Sequence, residues 1–132
     1  MFFGSSKKKI LVIDDDESLQ RQVEFRLKRH ENAKVIQAID GTHGVEMAKK
    51  KLPDLIILDW MLPDISGPEV LIKLKACENT SNIPVLMLTG KSKIGDIEDA
   101  FELGAEGYLT KPFSLSNLGS KVQDILNSVP TP

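Results

Sequence analysis

Acidic residues directly follow two apolar runs of this 132-residue chain. Asp14 and Asp15 come after the run at residues 10–13, and Asp59 comes after the run at residues 55–58. If the two runs are neighbouring parallel strands, these carboxylates meet at one edge of a sheet, where they repel one another. A hard divalent cation is the usual compensation, and Mg²⁺ characteristically binds carboxylates, water and phosphate. The pattern therefore predicts a site for magnesium and a phosphoryl group.

Polar residues also follow the two later apolar runs. Thr89 and Gly90 come after the run at residues 85–88, and Lys111 comes after a weaker run at residues 107–110. The lysine and the hydroxyl would face the phosphoryl oxygens from the side opposite the cation. The sequence contains neither G-x-x-x-x-G-K-[ST] nor G-x-G-x-x-G, so no such motif indicates nucleotide binding.

Each of these residues also has a simpler explanation when it is taken alone. The acidic residues at 14–17 suit the first turn of a helix, where negative charge interacts favourably with the helix dipole. Thr89 could be a polar residue entering a turn, and Lys111 a solvated lysine. The helix-dipole explanation does not account for Asp59, which follows a second apolar run. The constellation, rather than any one member, indicates a site.

The elements that would position these residues alternate along the chain. Runs rich in Ile, Val and Leu predict five strands, at residues 10–13, 35–39, 55–58, 85–88 and 107–110. The first, third and fourth runs are almost continuously apolar, as in parallel strands covered by helices on both faces. Apolar residues at helical spacing predict five helices: Leu19, Val23 and Leu27; Val45, Ala48 and Leu52; Val70, Leu71 and Leu74; Ile94, Ile97 and Phe101; Leu115, Leu118, Val122 and Ile125.

This alternation predicts an α/β fold, a single doubly wound (βα)5 domain with a five-stranded parallel sheet. The expected strand order is the flavodoxin-like 2-1-3-4-5, which binds ligands at the carboxyl ends of the strands, beside the first and third. We expect an N-terminal extension at residues 1–7, one domain at 8–128 and a tail at 129–132.

Composition excludes several other classes of protein. Hydrophobic residues make up 41% of the chain, enough for a core, and the formal net charge is −2. The chain lacks the basic excess of a dedicated nucleic-acid-binding domain, and no apolar run approaches the roughly 18 residues of a membrane helix. Cys77 is the only cysteine, which suits a reducing compartment. We therefore expect a cytoplasmic protein without direct nucleic-acid or membrane partners.

The chain from about residue 8 to residue 127 resembles the receiver domain of bacterial response regulators, the chemotaxis-regulator-like fold of two-component signalling. Four motifs in the expected order carry the resemblance. They are residues 10–15 (Ile-Leu-Val-Ile-Asp-Asp); 53–59 (Pro-Asp-Leu-Ile-Ile-Leu-Asp), followed by Leu62, Pro63 and Gly67; 83–90 (Ile-Pro-Val-Leu-Met-Leu-Thr-Gly); and Gly104, Ala105 and Tyr108, followed by 111–113 (Lys-Pro-Phe).

The resemblance implies a phosphorylation-activated switch. Asp59 matches the phosphoacceptor, which takes a phosphoryl group from a sensor histidine kinase or a phosphotransfer protein. Asp15, Asp59 and the backbone carbonyl of Met61 match the direct Mg²⁺ ligands, and Asp14 matches a carboxylate that acts through a metal-bound water. A protein of this family catalyses only its own phosphorylation and dephosphorylation, and so is a signalling switch rather than a turnover enzyme.

The resemblance also implies how the signal leaves the site. Lys111, Thr89 and Gly90 match the positions around the phosphoryl oxygens, and the bond from Lys111 to Pro112 is expected to be cis. Thr89 and Tyr108 match a switch pair that changes the surface of helix 4, strand 5 and helix 5. A downstream protein or a second copy of the chain would bind that surface.

Three alternatives remain open on sequence grounds. The chain is either a stand-alone receiver or a module of a longer protein. An aspartate-nucleophile phosphatase uses similar groups, but it keeps the nucleophile on the first strand in an Asp-x-Asp motif, whereas Asp59 follows the third run. A binding module that uses the fold without phosphorylation is disfavoured by the intact acidic pair, Thr89 and Lys111.

Overall fold

The computed structural model describes residues 7–90 and 94–128, and of residues 94–97 the backbone only. The predicted extension, apart from Lys7, and the predicted tail lie outside the described residues. Strands and helices alternate through the described chain: β1 (Lys8–Ile13), α1 (Glu17–His30), β2 (Ala33–Ala38), α2 (Gly41–Lys51), β3 (Leu55–Asp59), α3 (Gly67–Ala76), β4 (Val85–Thr89), α4 (Ile94–Glu102), β5 (Gly107–Thr110) and α5 (Leu115–Ser128).

The sheet has the predicted order, β2-β1-β3-β4-β5, with every neighbouring pair parallel. Its register brings the carboxyl ends together, since Ile13 pairs with Leu58. Asp59 in turn pairs with Leu88, and Thr89 pairs with Thr110. The residues that follow β1, β3, β4 and β5 therefore share one edge, and the predicted fold class is confirmed.

The core forms two layers because successive side chains of each strand point to opposite faces. On one face, buried residues of α1 and α5 meet β1, β3 and β4: Val23, Leu27, Leu118, Val122 and Ile125 with Ile10, Val12, Leu55, Ile57, Leu86 and Leu88. On the other face, buried residues of α2, α3 and α4 do the same: Val45, Ala48, Val70, Leu71, Leu74 and Ala100 with Leu11, Ile13, Ile56, Leu58, Val85 and Met87. Both faces of the three central strands are thus covered.

Side-chain caps set where four helices begin. Asp16 accepts a hydrogen bond from the backbone N–H of Leu19 at the start of α1. Asp40 does the same for α2, Ser66 for α3 and Ser114 for α5. Such caps satisfy N–H groups that lack a partner within the helix, and each contributes about 1 kcal/mol. Asp16 is thus a capping residue, as the helix-dipole explanation expected, whereas Asp14 is buried and belongs to the site.

Three apolar residues do not lie where the sequence placed them. Ile39, expected in the second strand, falls just beyond β2 and is exposed. Leu52, expected on the α2 stripe, has φ 47° at the end of that helix and is half-exposed, because the following Pro53 disfavours a helical conformation at the residue before it. Phe101, expected in the core, is 45% exposed while its neighbour Ala100 is buried. The side chains of Ile94 and Ile97 lie outside the described residues.

Candidate functional site

Three carboxylates gather at the carboxyl edge of the sheet. Asp14 follows β1 and is fully buried, Asp59 ends β3 and is 6% exposed, and Asp15 is exposed. One carboxylate oxygen from each lies within 4.8 Å of the others. The predicted acidic cluster is therefore confirmed. Three carboxylate oxygens at this spacing form a donor set suited to a hard divalent cation.

Lys111 lies against two of these carboxylates. Its ammonium is 3.0 Å from Oδ2 of Asp14 and 3.3 Å from Oδ1 of Asp59. The backbone N–H of Lys111 donates to the carbonyl of Thr89 at 2.7 Å, which ties it to the end of β4. The bond from Lys111 to Pro112 is cis. The lysine thus faces the carboxylates of β1 and β3 from the β5 side of the sheet.

The charges of the site are only partly balanced. Burial raises the pKa of Asp59, and the neighbouring charge of Asp14 raises it further. The charge and hydrogen bond of Lys111, together with a backbone hydrogen bond from Met61, lower the pKa of Asp59 without reversing the net increase. Additional positive charge beside Asp59 would therefore be favourable.

Lys111 remains cationic in this environment. Burial disfavours its ammonium form, but the hydrogen bond to Asp14 and the charges of Asp14 and Asp59 outweigh burial. The pKa of Lys111 is consequently raised above its usual value. The site thus keeps an ammonium beside the Asp59 carboxylate across the physiological pH range.

Gln20 supports the loop that carries Asp14, and sequence reasoning missed it. The side chain is buried in α1, and its Nε2 lies 3.0 Å from each of three backbone oxygens, those of Val12, Asp14 and Ala38. The backbone N–H of Asp16 also donates to Oδ1 of Asp14 at 2.9 Å. A glutamine on a helix is ordinarily exposed, so nothing in the sequence pattern distinguished Gln20.

The residues matched to the switch lie on β4 and β5. Thr89 ends β4 and is buried. A Cβ added at the next residue, Gly90, would meet nothing within 4 Å, so there is open space beside the site. Tyr108 is half-buried and pairs with Met87 across the two strands. Its ring meets that of Phe101 edge to face, with centroids 5.8 Å apart. Tyr108 thus links β5 to α4 through its ring contact with the partly exposed Phe101.

Met61 contributes through its backbone. Its N–H donates to the Asp59 carboxylate, whereas its side chain is 68% exposed. Trp60, which lies between Asp59 and Met61 in the sequence, is half-buried and packs against the core. The start of the loop after β3 is therefore in direct contact with the candidate phosphoacceptor.

Comparison with known proteins identifies the family. The model of the response regulator receiver domain matches residues 10–123. The chain is 42% identical over 118 residues to the DNA-binding dual master transcriptional regulator RpaA of Synechocystis, covering 89% of this chain and 48% of RpaA. It resembles a response regulator from Chloroflexus aurantiacus with a TM-score of 0.86 and 33% identity, over 92% of this chain and 99% of that one. It resembles the Mn²⁺-bound form of response regulator Rcp1 with a TM-score of 0.78 and 31% identity, over 95% of this chain and 99% of Rcp1.

The chain belongs to the response regulator receiver domain family. The function of this family is that of a phosphorylation-activated switch in two-component signalling. The chain spans about half the length of the curated relatives it matches. Among the residues that the structure describes, no helix combines the length and the apolar character needed to cross a membrane.

Proposed function

We propose that this chain receives a phosphoryl group on Asp59 from the phosphohistidine of a sensor histidine kinase or a phosphotransfer protein. The observation that supports this most is the placement of a buried aspartate at the end of β3, with an ammonium 3.3 Å away and two further carboxylates within 4.8 Å. Phosphoryl transfer requires mainly positioning and charge stabilisation. These are the features that the side chains at this edge provide.

In the transfer step, an oxygen of the Asp59 carboxylate forms a bond to phosphorus while the phosphorus–nitrogen bond of the phosphohistidine breaks. The imidazole leaves and takes a proton from water, and Asp59 becomes an acyl phosphate. Lys111 pairs its ammonium with the transferred oxygens, and its raised pKa keeps it charged. Thr89 and Gly90 would accommodate the remaining phosphoryl oxygens.

We propose Mg²⁺ as the cation of the site, held by Asp15, Asp59 and the carbonyl of Met61, with Asp14 acting through a bound water. When bound, the cation neutralises negative charge on the carboxylates and on the transferred group. The raised pKa of Asp59 supports this assignment, since the protein alone leaves its charge incompletely balanced. The similar protein Rcp1 has been solved with Mn²⁺ bound, which is consistent with a divalent cation in this fold.

We further propose that the phosphorylated site acts through Thr89 and Tyr108 on the surface of α4, β5 and α5. A downstream protein, or a second copy of this chain, would bind that surface. The domain would extend over residues 8–128 and would act as a switch in the cytoplasm rather than as a turnover enzyme. RpaA is described as DNA-binding, but the net charge of −2 here favours protein rather than nucleic-acid contacts.

A phosphate balance with acetyl phosphate tests this function against its alternatives. In Mg²⁺, a receiver is expected to retain close to one phosphoryl group per chain and to release inorganic phosphate slowly. Lys111→Met, which keeps the length of the side chain but removes its charge, is expected to lower the labelling rate strongly. Rapid phosphate release over many turnovers would instead identify a phosphatase, and no labelling would identify a binding module.

A further inference from the structure

The loop between β3 and α3 is hydrogen-bonded to the start of α2 through Asp64. Oδ1 of Asp64 accepts from the backbone N–H of Gly41 at 2.8 Å. Oδ2 accepts from the backbone N–H of Thr42 at 2.8 Å and from its hydroxyl at 2.6 Å. One carboxylate thus joins two segments that are more than twenty residues apart in sequence.

Capping of α2 does not by itself explain this arrangement. Asp40 already caps the helix, since its Oδ1 accepts from the backbone N–H of His43 at 2.7 Å. Asp64 comes from a different part of the chain and accepts from the two preceding N–H groups of the same first turn, those of Gly41 and Thr42. Its additional effect is therefore to fix the β3–α3 loop in place on the helix.

Apolar contacts hold the same two segments at close range. A Cβ added at Gly41 would lie 2.5 Å from Cγ1 of Ile65 and 2.7 Å from Cγ2 of Val70. Ile65 directly follows Asp64, and it packs against the core on this face of the sheet. The loop therefore lies against α2 at both a polar and an apolar contact.

The same loop begins at the phosphoacceptor. The backbone N–H of Met61 donates to the Asp59 carboxylate, and the N–H of Gly67 donates to the carbonyl of Trp60 at 2.8 Å, which closes the ends of the loop. Asp64 lies between these two points. Movement of the loop away from α2 would consequently be transmitted to the backbone of Met61.

We infer that Asp64 is a positioning residue for the site, because it holds the β3–α3 loop so that the backbone of Met61 stays directed at Asp59 and at the cation. This inference rests on the proposed function, in which the carbonyl of Met61 is a metal ligand. Groups that orient metal ligands from outside the coordination sphere commonly affect affinity strongly. Asp64 would act in this way through the backbone.

The ionisation of Asp64 is compatible with this role. Hydrogen bonds from the Thr42 hydroxyl and from the backbone N–H groups of Thr42, Gly41 and Ile65 hold the pKa of Asp64 well below its usual range. The carboxylate therefore stays charged, and able to accept all of these bonds, at any pH at which the protein would signal.

Magnesium titration of wild type and three variants tests the inference, with Trp60 fluorescence as the readout. Asp64→Ala is expected to weaken Mg²⁺ binding about tenfold or more. Thr42→Val, which removes only the hydroxyl contact, is expected to weaken it less. Asp40→Ala is the matched control: it removes the other cap of α2 and lowers stability, but it should leave Mg²⁺ affinity at the wild-type value. The rate of labelling by acetyl phosphate in Asp64→Ala should recover when Mg²⁺ is raised to saturation.

Hydrogen exchange at the Met61 amide gives a second readout that needs no metal. Exchange should accelerate in Asp64→Ala and not in Asp40→Ala. Equal effects of the two variants on exchange and on affinity would overturn the inference, because Asp64 would then act only through helix stability. Wild-type behaviour of Asp64→Ala in both measurements would overturn it as well. Failure of wild type to bind Mg²⁺ or to be labelled would instead contradict the proposed function.

Discussion

Asp59 has a carboxylate whose charge the folded protein stabilises incompletely. Burial and the nearby charge of Asp14 raise its pKa, and Lys111 and the Met61 amide only partly offset them. An acid whose pKa is higher in the folded than in the unfolded state lowers stability once both forms are ionised. That cost is absent below the unfolded-state pKa, grows as the pH rises towards the folded-state pKa, and is complete above it.

Asp59→Asn should therefore stabilise the protein at pH 7, by about 0.5 to 2 kcal/mol, the usual size of a stabilising substitution. The amide is similar in shape but uncharged, and Lys111 keeps its ion pair with Asp14 at 3.0 Å. Urea unfolding at pH 7 and at pH 4 is the measurement. The difference in the free energy of unfolding between the variant and wild type should be smaller at pH 4. Asp124→Asn, an exposed aspartate of α5, is the control and should change little at either pH. A loss of stability at pH 7 would contradict this charge balance.

The sequence revealed the residues of the site that end a strand or directly follow one. Asp14, Asp15, Asp59 and Lys111 were predicted because parallel strands place their carboxyl ends at one edge. Gln20 and Asp64 were not used in that argument, because their roles depend on contacts with backbone distant in sequence. Such contacts follow from the folded path of the chain and leave no local pattern.

At the scale of elements, the β3–α3 loop turns back sharply on the end of β3. A Cβ added at Gly67 would contact the carbonyl oxygen of Asp59 and lie 2.8 Å from Cα of Trp60. Both are backbone atoms, so neither can rotate away. The loop therefore requires glycine at this position, independently of its dihedral angles.

Gly67→Ala should consequently destabilise the protein by about 2 kcal/mol, within the range for overpacking. Gly90→Ala is the matched control, because its Cβ would meet nothing within 4 Å, and it should change stability by less than half as much. Thermal denaturation of both variants is the measurement. Equal stabilities for the two alanine variants would show that the loop adapts, contrary to the geometry.

Strands β4 and β5 carry the proposed switch. A phosphoryl group can bias a conformational equilibrium only through contacts that differ between the two states. Thr89→Ala should therefore still be phosphorylated on Asp59 but should fail to transmit the change to Tyr108. Nuclear magnetic resonance shifts around Tyr108, with and without beryllofluoride as a phosphoryl mimic, measure this. Shifts of wild-type size in the variant would refute the coupling, while loss of labelling would place Thr89 in the transfer step itself.

The sequence predicted elements well where burial is continuous. Strands β1, β3 and β4 are buried on both faces, so their runs of Ile, Leu and Val were unambiguous. Predictions failed at the ends and outer sides of elements, at Ile39, Leu52 and Phe101. An apolar residue at such a position can be either buried or exposed, depending on the path that the chain takes after it. For Leu52, the following proline disfavours a further helical residue, so the helix ends there.

At the scale of the whole molecule, three strands contribute carboxylates or the ammonium to one edge of the sheet, while the helical layers cover its faces. Binding of a cation at that edge should stabilise the entire fold, because ligand that binds only the folded state shifts the unfolding equilibrium. The repulsion relieved by the cation is shared by Asp14, Asp15 and Asp59. Mg²⁺ binding is therefore expected to increase the free energy of unfolding of the whole domain.

Mg²⁺ should raise the melting temperature of the wild type, by an amount that corresponds to about 2.7 kcal/mol at a hundred times the Kd. Asp15→Ala should abolish most of this increase, because it removes the exposed carboxylate of the cluster. Sodium chloride at equal ionic strength is the control for general screening. If sodium chloride reproduced the whole increase, the acidic cluster would not be a specific divalent site.

The most direct test of the central claim is to locate the phosphoryl group. The protein is treated with acetyl phosphate and Mg²⁺, reduced with borohydride, which converts an aspartyl phosphate to homoserine, and analysed by peptide mass mapping. We expect homoserine at position 59, its absence when Mg²⁺ is chelated, and no homoserine at any position in Asp59→Asn. Homoserine at another aspartate, or equal conversion in the Asp59→Asn variant, would contradict Asp59 as the phosphoacceptor.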